Sequence, residues 1–591
     1  MADETPNERL ASIFQRISQL LELTGADRFR VIAHDRAARV VESRHEDLCA
    51  LALAQGMKPL TAIEGIGPKI AEKILEFART GEVAEEKELL AAIPAGLLGV
   101  LQIPGLGPKT VGALWKTRNV TDVASLKAII EDGSIMDVPR MGAKTVENIR
   151  RAIAFAERAG ERTPIGLAMP IAEEMVARLS RVPGVTRASF AGSLRRGRET
   201  VGDLDFLVST SDPAAVRESF STQHEVTQVL SKGESKCSVR LDVDGRQIQA
   251  DLRIVPEASF GAALLYFTGS KEHNVRMRER AQKLGMTLNE YGLYRADPDP
   301  TPPHHRGVPP LAGAAENECF EVLRLPYAPP ELREERDIDE PVPDDLIQLA
   351  DIKAELHAHT TASDGSLTIE ELALAACARG FHTIAVTDHS QSSVIANGLK
   401  PERLLRHIEA VREAAARVRG ITILVGSEVD ILADGSLDYD DELLAKLDVV
   451  VASPHASLKQ ERDAATARML RAIRHPLVHI IGHPTGRIVG RREGFHPDIS
   501  ALAAAAAEHR VALEVNCNWM RLDLCDTHVR AALAAGGERA LIALDCDVHR
   551  SGDFANLRYG VATARRGGLT RPRCVNAWDA ATLHDWLRSK R

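Results

Sequence analysis

The sequence predicts a multidomain chain in which a helical N-terminal region, an α+β middle region and an α/β, barrel-like C-terminal region follow one another. Three observations predict this order. The 591 residues are more than one hydrophobic core organises. A glycine-centred phrase recurs within roughly the first quarter of the chain. From Ile352 onward, short apolar strands alternate with helical segments, as in barrels built of parallel strands.

Composition and charge exclude some classes of protein. The chain is 44% hydrophobic and 27% charged, which is typical of a soluble globular protein. Its formal net charge is −9, whereas a protein that coats nucleic acid is basic, so any nucleic-acid contact is expected in local patches. Aromatic residues make up only 4%, which argues against extensive surfaces for stacking bases.

Cysteine usage and the N-terminal residues predict a cytoplasmic location. The eight cysteines are scattered without a CxxC pair, which disfavours both a disulfide framework and a cysteine-ligated zinc site. The first residues, MADETPNERL, lack the basic start and apolar core of a signal peptide. The chain contains no apolar run of membrane-spanning length, so no membrane partner is expected.

The recurring phrase in the N-terminal region predicts helix-hairpin-helix units. It reads IEGIGPKIAEKI from Ile63, LQIPGLGPKTVGAL from Leu101 and DVPRMGAKTVENI from Asp137. A glycine turn exposes backbone N–H groups at a helix N-terminus, and such groups bind phosphate without reading bases. A single copy would fit a plain connecting turn equally well, but three copies favour phosphate binding. The candidate contact residues are Gly65, Gly67, Lys69, Gly105, Gly107, Lys109 and Gly142.

Two aspartates in the stretch AGSLRRGRETVGDLDFLV, residues 191–208, predict a cation site. On a strand, Asp203 and Asp205 share one face, while Leu204 and Phe206 face a core. Asp251, in QIQADLRIV, becomes a third ligand if its strand pairs with the first. Oxygen ligands of this kind suit Mg²⁺ or Mn²⁺. The alternative is a pair of solvent-facing carboxylates at a sheet edge.

Together with LLYFTGSKEHNVRMR, residues 264–278, these stretches resemble the palm and adjoining helical segment of the family X DNA polymerases. The resemblance implies a nucleotidyltransferase-type palm with an antiparallel or mixed sheet. It also implies that Asp203 and Asp205 hold both metals and that Asp251 activates the primer 3′-hydroxyl. The nucleotide-binding residues it implies are Gly192, Ser193, Arg196, Gly202, Tyr266, Phe267, Gly269, Asn274 and Arg278.

The same resemblance draws attention to Lys73. It lies where the family's 5′-deoxyribose-phosphate lyase branch places its Schiff-base lysine, one helical turn after Lys69. Mutual repulsion between two lysines lowers a lysine pKa toward reactivity. The alternative, which is slightly favoured, is that both lysines contact a DNA phosphate, because binding needs only charge.

Histidine and carboxylate residues predict a second metal site in the C-terminal half. Each follows or ends a predicted strand, and parallel barrels carry their sites at the carboxyl ends of their strands. Imidazole and carboxylate ligands suit Zn²⁺, Mn²⁺ or Fe²⁺, and such clusters activate water for phosphoester hydrolysis. Asp388 and Asp545 adjoin these residues and are expected to orient them. The candidate ligands are His357, His359, Asp364, His389, Glu428, His455, His483, Asp547 and His549.

This ligand set resembles the PHP (polymerase and histidinol phosphatase) domain, which implies a distorted (β/α)₇ barrel carrying two to three metals, with Glu428 as the bridging ligand. The segment GHPTGRIVGRREG is similar to the version fused to bacterial family X polymerases. This segment contains Arg487, Arg491 and Arg492, which either contact DNA phosphates or are ordinary surface arginines.

The resemblances and changes of composition divide the chain into six parts. A Pro-rich and then acidic stretch, from DPDPTPPHHRGVPP to ELREERDIDEPVPDD, is expected to contain the linker. The predicted parts are 1–82, helical with helix-hairpin-helix; 83–162, helical; 163–262, palm; 263–328, nascent-base-pair-binding domain; 329–350, linker; and 351–591, PHP domain.

The predicted function is a DNA repair polymerase, monomeric and associated with the nucleoid, which fills short gaps in gapped or nicked duplex DNA from deoxynucleoside triphosphates. Its PHP domain is expected to act as a metal-dependent 3′–5′ exonuclease and 3′-end-processing enzyme, with a possible AP endonuclease activity. One alternative is a nuclease that keeps a polymerase core only for DNA binding. The others are a small-molecule phosphatase of the histidinol-phosphate type, which explains only the C-terminal half, and a non-enzymatic DNA-binding adaptor.

Overall fold

The computed structural model divides the chain into two compact units, Met1–Gly160 and Glu161–Arg591. Each unit has its own core and is described separately. The structure describes residues 6–42, 47–63, 65–101, 103, 106–138, 141–143, 145–147, 149–150, 153, 162–243, 245–299, 301–334 and 336–590.

The first unit is helical and is built on two apolar clusters. Helix α1 contributes to both, because Phe14 and Ile17 lie in one cluster while Leu20 and Leu23 lie in the other. The helices are α1 Pro6–Thr24, α2 Arg28–Glu42, α3 Leu48–Gln55, α4 Met57–Thr61, α5 Pro68–Thr80, α6 Ala84–Ala91, α7 Leu97–Leu101, α8 Pro108–Arg118 and α9 Val123–Glu131. This arrangement confirms the predicted helical N-terminal region.

Glycine turns precede α5 and α8. Gly67 and Gly107 are extended, exposed residues, and a proline follows each as the first helical residue. Glycine has no side chain with which to cap a helix, so the first N–H groups of both helices stay open to solvent. Gly142 is likewise exposed, whereas the predicted contact residue Gly105 lies outside the described residues.

The second unit begins with a five-stranded mixed sheet in the described residues. The strands of this part are β1 Thr163–Pro164, β2 Val185–Phe190, β3 Thr200–Val201, β4 Asp203–Thr210, β5 Val226–Lys232, β6 Lys236–Val243, β7 Arg246–Ile254, β8 Met286–Asn289 and β9 Gly292–Arg295. The order in the five-stranded sheet is β2-β4-β7-β6-β5, in which β4 and β7 are parallel and the other neighbours are antiparallel. The helices among them are α10 Ile165–Ser180, α11 Gly192–Arg195, α12 Pro213–Ser221, α13 Phe260–Thr268, α14 Lys271–Lys283 and α15 Glu316–Val322.

Alternation along β4 and β7 separates a core face from a polar face. Leu204 and Phe206 are buried with Ala250 and Leu252 in the cluster beneath α10, as the sequence pattern predicts. Period-two alternation therefore leaves the aspartates of both strands on the opposite face.

A buried ion-pair network fastens residues after α15 to the turn that follows β2. Glu316 accepts from Arg195 on α11 and from Arg333, whose side chain is fully buried, at 2.7 Å each. Burial alone would raise the pKa of Glu316, but these two guanidinium groups outweigh it and lower the pKa to about 2. The N-terminal end of the segment predicted as a linker, 329–350, thus packs tightly against the sheet domain.

The C-terminal part is a nearly closed parallel barrel, which confirms the predicted fold. Its described strands pair in chain order: β10 Ala354–Glu355, β11 Thr383–Val386, β12 Thr422–Asp430, β13 Val449–Ser453, β14 Ile480–Ile481, β15 Ala512–Asn516 and β16 Leu541–Asp545. A parallel bridge between Ala358 and Val548 brings the ends of the first and last strands together. The surrounding helices are α16 Ile369–Cys377, α17 Pro401–Arg417, α18 Asp441–Leu444, α19 Arg462–Ile473, α20 Ile499–His509, α21 Asp526–Gly536, α22 Leu557–Arg566 and α23 Ala580–Arg588.

Helix length and polarity bear on membrane insertion. Helix α1 has 19 residues and includes the charged Arg9, Arg16 and Glu22. Across the described ranges, no helix combines the length and the apolar character needed to cross a bilayer.

Candidate active sites

The sheet brings the three predicted palm aspartates together. In the parallel pairing of β4 and β7, Asp205 lies directly opposite Asp251, and Asp203 is on the same face one step earlier. The pairing on which a third ligand at Asp251 depends is therefore present. It sets three carboxylates on one polar surface, which is the oxygen-rich arrangement that divalent cations prefer.

The electrostatics of Asp205 fit a cation at this position. Burial raises the pKa of Asp205 to about 7, and the neighbouring carboxylates of Asp203 and Asp251 add to the rise. Two positive charges bound among the three groups would remove this repulsion and favour the ionised form. The donor set is composed of carboxylate oxygens, which suits Mg²⁺ or Mn²⁺.

Donors on neighbouring side chains hold Asp251 in place. The ammonium nitrogen of Lys236 lies 3.1 Å from Oδ2, and the Gln249 amide donates to Oδ1 at 3.1 Å. Burial would raise the pKa of Asp251, but hydrogen bonds from Ser238, Lys236 and Gln249 outweigh it and lower the pKa. Sequence reasoning missed Lys236, because only the register between β6 and β7 brings it close.

A cleft of about 390 Å³ opens beside the aspartates. Its lining includes every nucleotide-binding residue that the resemblance implied except Gly202, which is next to Asp203 in sequence. Lys271, the first residue of α14, also lines the cleft and was not predicted. The complete lining is Gly192, Ser193, Arg196, Asp203, Asp205, Tyr266, Phe267, Gly269, Lys271, Asn274 and Arg278.

Gly192 lets the turn after β2 approach the carboxylates closely. Its φ is +64°, a conformation that favours glycine. A Cβ at this position would come within 2.6 Å of the Asp205 Oδ2 atom. No other residue type fits here without moving the backbone or Asp205.

The end of α13 and the start of α14 form the other wall of the cleft. Tyr266 and Phe267 pack edge to face with ring centroids 5.1 Å apart, and the Arg253 guanidinium lies 4.3 Å from the Phe267 ring centroid. The Asn274 amide donates to the Tyr266 carbonyl at 2.6 Å, and Arg278 Nε donates to the Asn274 carbonyl at 3.3 Å. These contacts fix the positions of the side chains that the sequence assigned to the nucleotide pocket.

In the barrel, histidines converge on the carboxylate of Glu428. The histidine nitrogens lie between 2.8 and 3.6 Å from its oxygens, with His389 closest to Oε2 and His483 closest to Oε1. The contributing histidines are His357, His359, His389, His455 and His483. Because all of them lie at or just beyond strand ends, the carboxyl rim of the barrel builds the cluster.

Asp364 and Asp547 form the neighbouring part of the cluster. His359 Nε2 lies 3.1 Å from Asp547, and Asp364 lies 3.4 Å from His549 and 3.6 Å from His389. The structure thus brings all nine predicted barrel ligands into one connected site. His359, His389 and Glu428 each belong to more than one possible ligand group, which favours several ions sharing ligands.

The donor atoms of the barrel cluster fit divalent metal ions. In the described part of the chain, His357 Nε2, His359 Nε2, His389 Nδ1 and Glu428 Oε2 are buried without a hydrogen-bond partner. Unpaired buried polar atoms cost free energy unless something compensates them, and convergent imidazole nitrogens and carboxylates compensate by binding cations. Asp547 also has φ of +54°, a strained conformation of the kind found at functional sites.

Buried carboxylates hold the histidine ligands from behind. Glu514 Oε1 lies 2.7 Å from His357 Nδ1, and Asp430 Oδ1 lies 2.8 Å from His455 Nδ1. Such partners fix the ring orientation and leave the other nitrogen for a metal. Sequence reasoning missed both, although Asp430 follows Glu428 at i+2 in GSEVD and Glu514 lies inside an apolar strand.

The predicted orienting residues act on the backbone beside the ligands. Asp388 accepts from the backbone and hydroxyl of Thr360 at 2.9 and 2.7 Å, and it thereby braces the loop that carries Asp364. Asp545 accepts from the Leu356 backbone N–H at 2.8 Å, next to His357.

In the helical unit, Lys73 is part of an ion-pair cluster. Its ammonium nitrogen lies 3.0 Å from Glu85, which also lies 3.3 Å from His34 Nε2. Lys69 is exposed. The Lys73 side chain is only 17% exposed, and a DNA phosphate would have to displace Glu85 to reach its ammonium group, so this pairing favours neither phosphate contact nor lyase chemistry. Sequence reasoning missed His34 and Glu85, which only tertiary packing brings to Lys73.

The arginines of the GHPTGRIVGRREG segment differ in environment. Arg487 is 14% exposed and donates to Glu199 at 2.5 Å and to the Leu522 carbonyl at 2.7 Å. It joins the barrel to the sheet domain, which is neither of the two roles considered for it. Arg491 is exposed, and Arg492 donates to the Gly486 carbonyl at 2.7 Å.

Comparisons with protein families match four stretches of the chain. The model for the DNA polymerase beta thumb matches residues 263–334, and the PHP domain model matches residues 355–518. A helix-hairpin-helix domain model matches residues 5–83, and a SAM-like helix-hairpin-helix tandem model matches residues 97–154. Fold and sites together define the class: a metal-dependent nucleotidyltransferase joined to a PHP barrel.

Three relatives indicate which protein family within this class the chain belongs to. The chain is 36% identical over 578 residues to "DNA polymerase/3'-5' exonuclease PolX" of Bacillus subtilis, with 98% of each chain covered. It is 27% identical over 330 residues to DNA polymerase lambda of Rattus norvegicus, covering 52% of this chain and 53% of the relative. It is 30% identical over 241 residues to a probable phosphatase of Syntrophotalea carbinolica, covering 39% of this chain and 95% of the relative. The chain belongs to the family X DNA polymerases that carry a PHP domain.

Polymerase and PHP relatives of this kind imply the use of divalent metal ions. The His, Asp and Glu clusters in the barrel agree with this.

Proposed function

We propose that this protein fills short gaps in duplex DNA by template-directed nucleotide addition and removes or cleans nucleotides at 3′ ends with its barrel. The observation that carries the first half is the register that sets Asp205 opposite Asp251 beside a nucleotide-sized cleft. The second half is supported by the cluster of nine candidate ligands that includes Glu428 and by the 3′–5′ exonuclease named in the Bacillus relative.

In the palm, the residues position the reacting groups. Divalent ions bound by the aspartates supply charge neutralisation at the attacking, transferring and leaving oxygens. Asp251, held ionised by Lys236 and Gln249, accepts the proton of the primer 3′-hydroxyl. Ser193 and Arg196 hold the triphosphate, and Asn274 and Arg278 face the minor groove of the nascent pair. Mg²⁺ or Mn²⁺ is the proposed ion here.

In the barrel, the cluster around Glu428 is the proposed site of phosphodiester hydrolysis. Its nine residues would hold two or three Mn²⁺, Zn²⁺ or Fe²⁺ ions, which would activate a water and stabilise charge on the phosphate. Glu514 and Asp430 keep His357 and His455 in the tautomers that expose Nε2. An AP endonuclease activity of the same site is a further part of the proposal.

The helical unit is proposed to contact phosphates of gapped or nicked DNA through the exposed N-termini of α5 and α8. The open N–H groups after Gly67 and Gly107 support this role, and Lys69 and Lys109 supply exposed positive charge nearby. Lyase chemistry at Lys73 stays a prediction that borohydride trapping on a nicked abasic duplex tests. We further propose that the protein acts as a monomer associated with the nucleoid.

The test is a gel assay on a 5′-labelled primer in a duplex with a one-nucleotide gap, in Mn²⁺, with and without deoxynucleotides. We expect extension with nucleotides, shortening without them, and neither after chelation. A parallel substrate with an abasic site reports cleavage there. Shortening under both conditions would instead favour the alternative of a nuclease that retains its polymerase core only for DNA binding.

A further inference from the structure

A side chain of the barrel reaches the nucleotide pocket of the palm. Arg566, the last residue of α22, is 5% exposed and lies at the interface between the barrel and the sheet domain. Its Nη1 lies 3.2 Å from Glu334 Oε1 and donates to the Arg196 carbonyl at 3.0 Å. Arg196 is one of the residues that line the cleft. A residue of the barrel therefore touches the backbone of a pocket residue.

Glu334 links the two arginines. The same Oε1 atom that contacts Arg566 accepts from Arg196 Nε at 2.7 Å. Arg196 Nη1 also donates to the Thr268 carbonyl, on the other wall of the cleft. The guanidinium group of Arg196 is thus fixed through Nε and Nη1, and its remaining N–H groups stay available for a ligand in the cleft.

Arg566 is itself held in place by the barrel. Its Nη2 donates to Asp526 Oδ2, at the start of α21, at 2.6 Å. The approach of α22 to the palm turn is close, because a Cβ on Gly197 would come within 2.9 Å of the Ala562 Cβ. Arg198 adds a weaker contact to the other Glu334 oxygen at 3.7 Å. The order of contacts is therefore Asp526, Arg566, Glu334, Arg196 and the cleft.

We propose that Arg566 and Glu334 are positioning residues for nucleotide addition, because they preset the Arg196 guanidinium to receive the triphosphate of the incoming nucleotide. The inference rests on the proposed role of Arg196. Preorganised charged donors bind a phosphate more tightly than mobile ones, since the cost of ordering them is met on folding. The PHP barrel is then a structural part of the polymerase site as well as the carrier of its own site.

The charge arrangement explains why the barrel residue is needed. Glu334 alone would compete with the triphosphate for Arg196, because a carboxylate and a phosphate seek the same donors. Arg566 partly neutralises the Glu334 carboxylate and thereby weakens the attraction between Glu334 and Arg196. Loss of Arg566 therefore leaves Arg196 paired with a less neutralised carboxylate and weakens nucleotide binding.

The experiment compares Arg566→Ala with the matched variant Arg565→Ala in the full chain. Arg565 is the neighbouring residue of α22 and pairs with Glu331 at 2.8 Å across the same interface, without contacting Arg196 or Glu334. We expect the KM for the incoming nucleotide to rise about tenfold in Arg566→Ala with a smaller change in kcat, the scale of one lost charged hydrogen bond. Barrel hydrolysis should be unchanged in both variants, and KM should be unchanged in Arg565→Ala.

Two further measurements separate positioning from general damage. Nucleotide binding to a dideoxy-terminated gapped duplex, which cannot react, should weaken by the same factor as KM. Arg566→Lys keeps a positive charge near Glu334 and should recover part of the nucleotide affinity. If Arg566→Ala does not fold, Arg566→Lys replaces it in these measurements. In a double-mutant cycle, Arg566→Ala and Glu334→Ala should have non-additive effects.

An unchanged nucleotide affinity in Arg566→Ala, while the unmodified protein adds nucleotides, would overturn this inference and leave the proposed function intact. So would an equal loss in Arg565→Ala, or additive effects in the cycle. If the unmodified protein adds no nucleotide at all, the proposed function itself has failed.

Discussion

Individual carboxylates in the palm carry different charges because their neighbours differ. Asp205, buried beside two like charges, has its pKa raised to about 7, whereas donors around Asp251 lower the pKa of that residue. The residue that is proposed to accept a proton is thus the one kept ionised, and the residue whose ionised form is disfavoured by its surroundings is the one that a bound cation would stabilise most.

Lys236 should therefore set the acid limit of nucleotide addition. Replacing it with methionine removes a donor from Asp251, so the pKa of Asp251 rises and the ionised fraction at low pH falls. We expect the acid limb of the pH profile for single-turnover gap filling to move to higher pH, with little change above neutrality. Lys232→Met is the control: Lys232 is similarly exposed, pairs with Glu218 and does not touch Asp251. An unmoved acid limb would show that Lys236 does not tune Asp251.

Residue types, spacing and the family resemblance together predicted the three palm aspartates and the nine barrel ligands, and the structure brings each set together. Carboxylate and imidazole side chains indicate metal binding by their own chemistry, and the hydrophobic pattern of the sequence predicts the strands that carry them. Lys236, Glu514 and Asp430 were missed because their roles depend on a partner from a neighbouring strand. A lysine or glutamate in a strand has no local signal for such a contact.

At the scale of elements, the turn between β2 and α11 shows how a backbone conformation serves the site. Gly192→Ala places a Cβ 2.6 Å from Asp205 Oδ2 and adds strain at a φ of +64°. We expect a loss of about 1 kcal/mol in the free energy of unfolding. Nucleotide addition should fall by about 100-fold, because a small misplacement of a catalytic group is costly.

The control for this prediction is Gly245→Ala, in the hairpin between β6 and β7. Its φ is +75°, but a Cβ there meets no atom within 4 Å. Denaturant unfolding should show a similar loss of stability in both variants, and single-turnover gap filling should be impaired only in Gly192→Ala. Equal activity in the two variants would mean that the close approach to Asp205 has no catalytic role.

The sequence predicted some secondary-structure elements and their packing, but not all. Alternation in DLDFLVS and the strand-end histidines predicted β4 and the barrel strands, since burial on fixed faces imposes a visible period. The sequence did not reveal that residues 330–334 would pack against the palm turn. That packing depends on Arg333 and Glu316, charged residues that become buried only as partners.

At the scale of the molecule, the palm and barrel are joined by ion pairs and hydrogen bonds yet are chemically distinct. The ion pair between Arg487 and Glu199 and the contacts of Arg566 join residues more than 200 positions apart. Pairings of this kind are invisible in a single sequence, because nothing local marks the partner. The ligands of the two sites nevertheless come from different sheets and share no residue.

The two activities should therefore separate cleanly by substitution. Asp205→Asn removes a carboxylate from the palm and should lower nucleotide addition on the order of 1000-fold, whereas 3′ hydrolysis stays within about twofold, because distant sites contribute independently. Glu428→Gln should do the reverse and also lower the tightly bound metal measured in the purified protein, since Glu428 lies at the centre of the histidine cluster. Loss of both activities in Asp205→Asn would mean that one site performs both reactions. Full metal content in Glu428→Gln would remove Glu428 as a bridging ligand, because a bridging carboxylate cannot be replaced by an uncharged amide without weakening the ions on both sides.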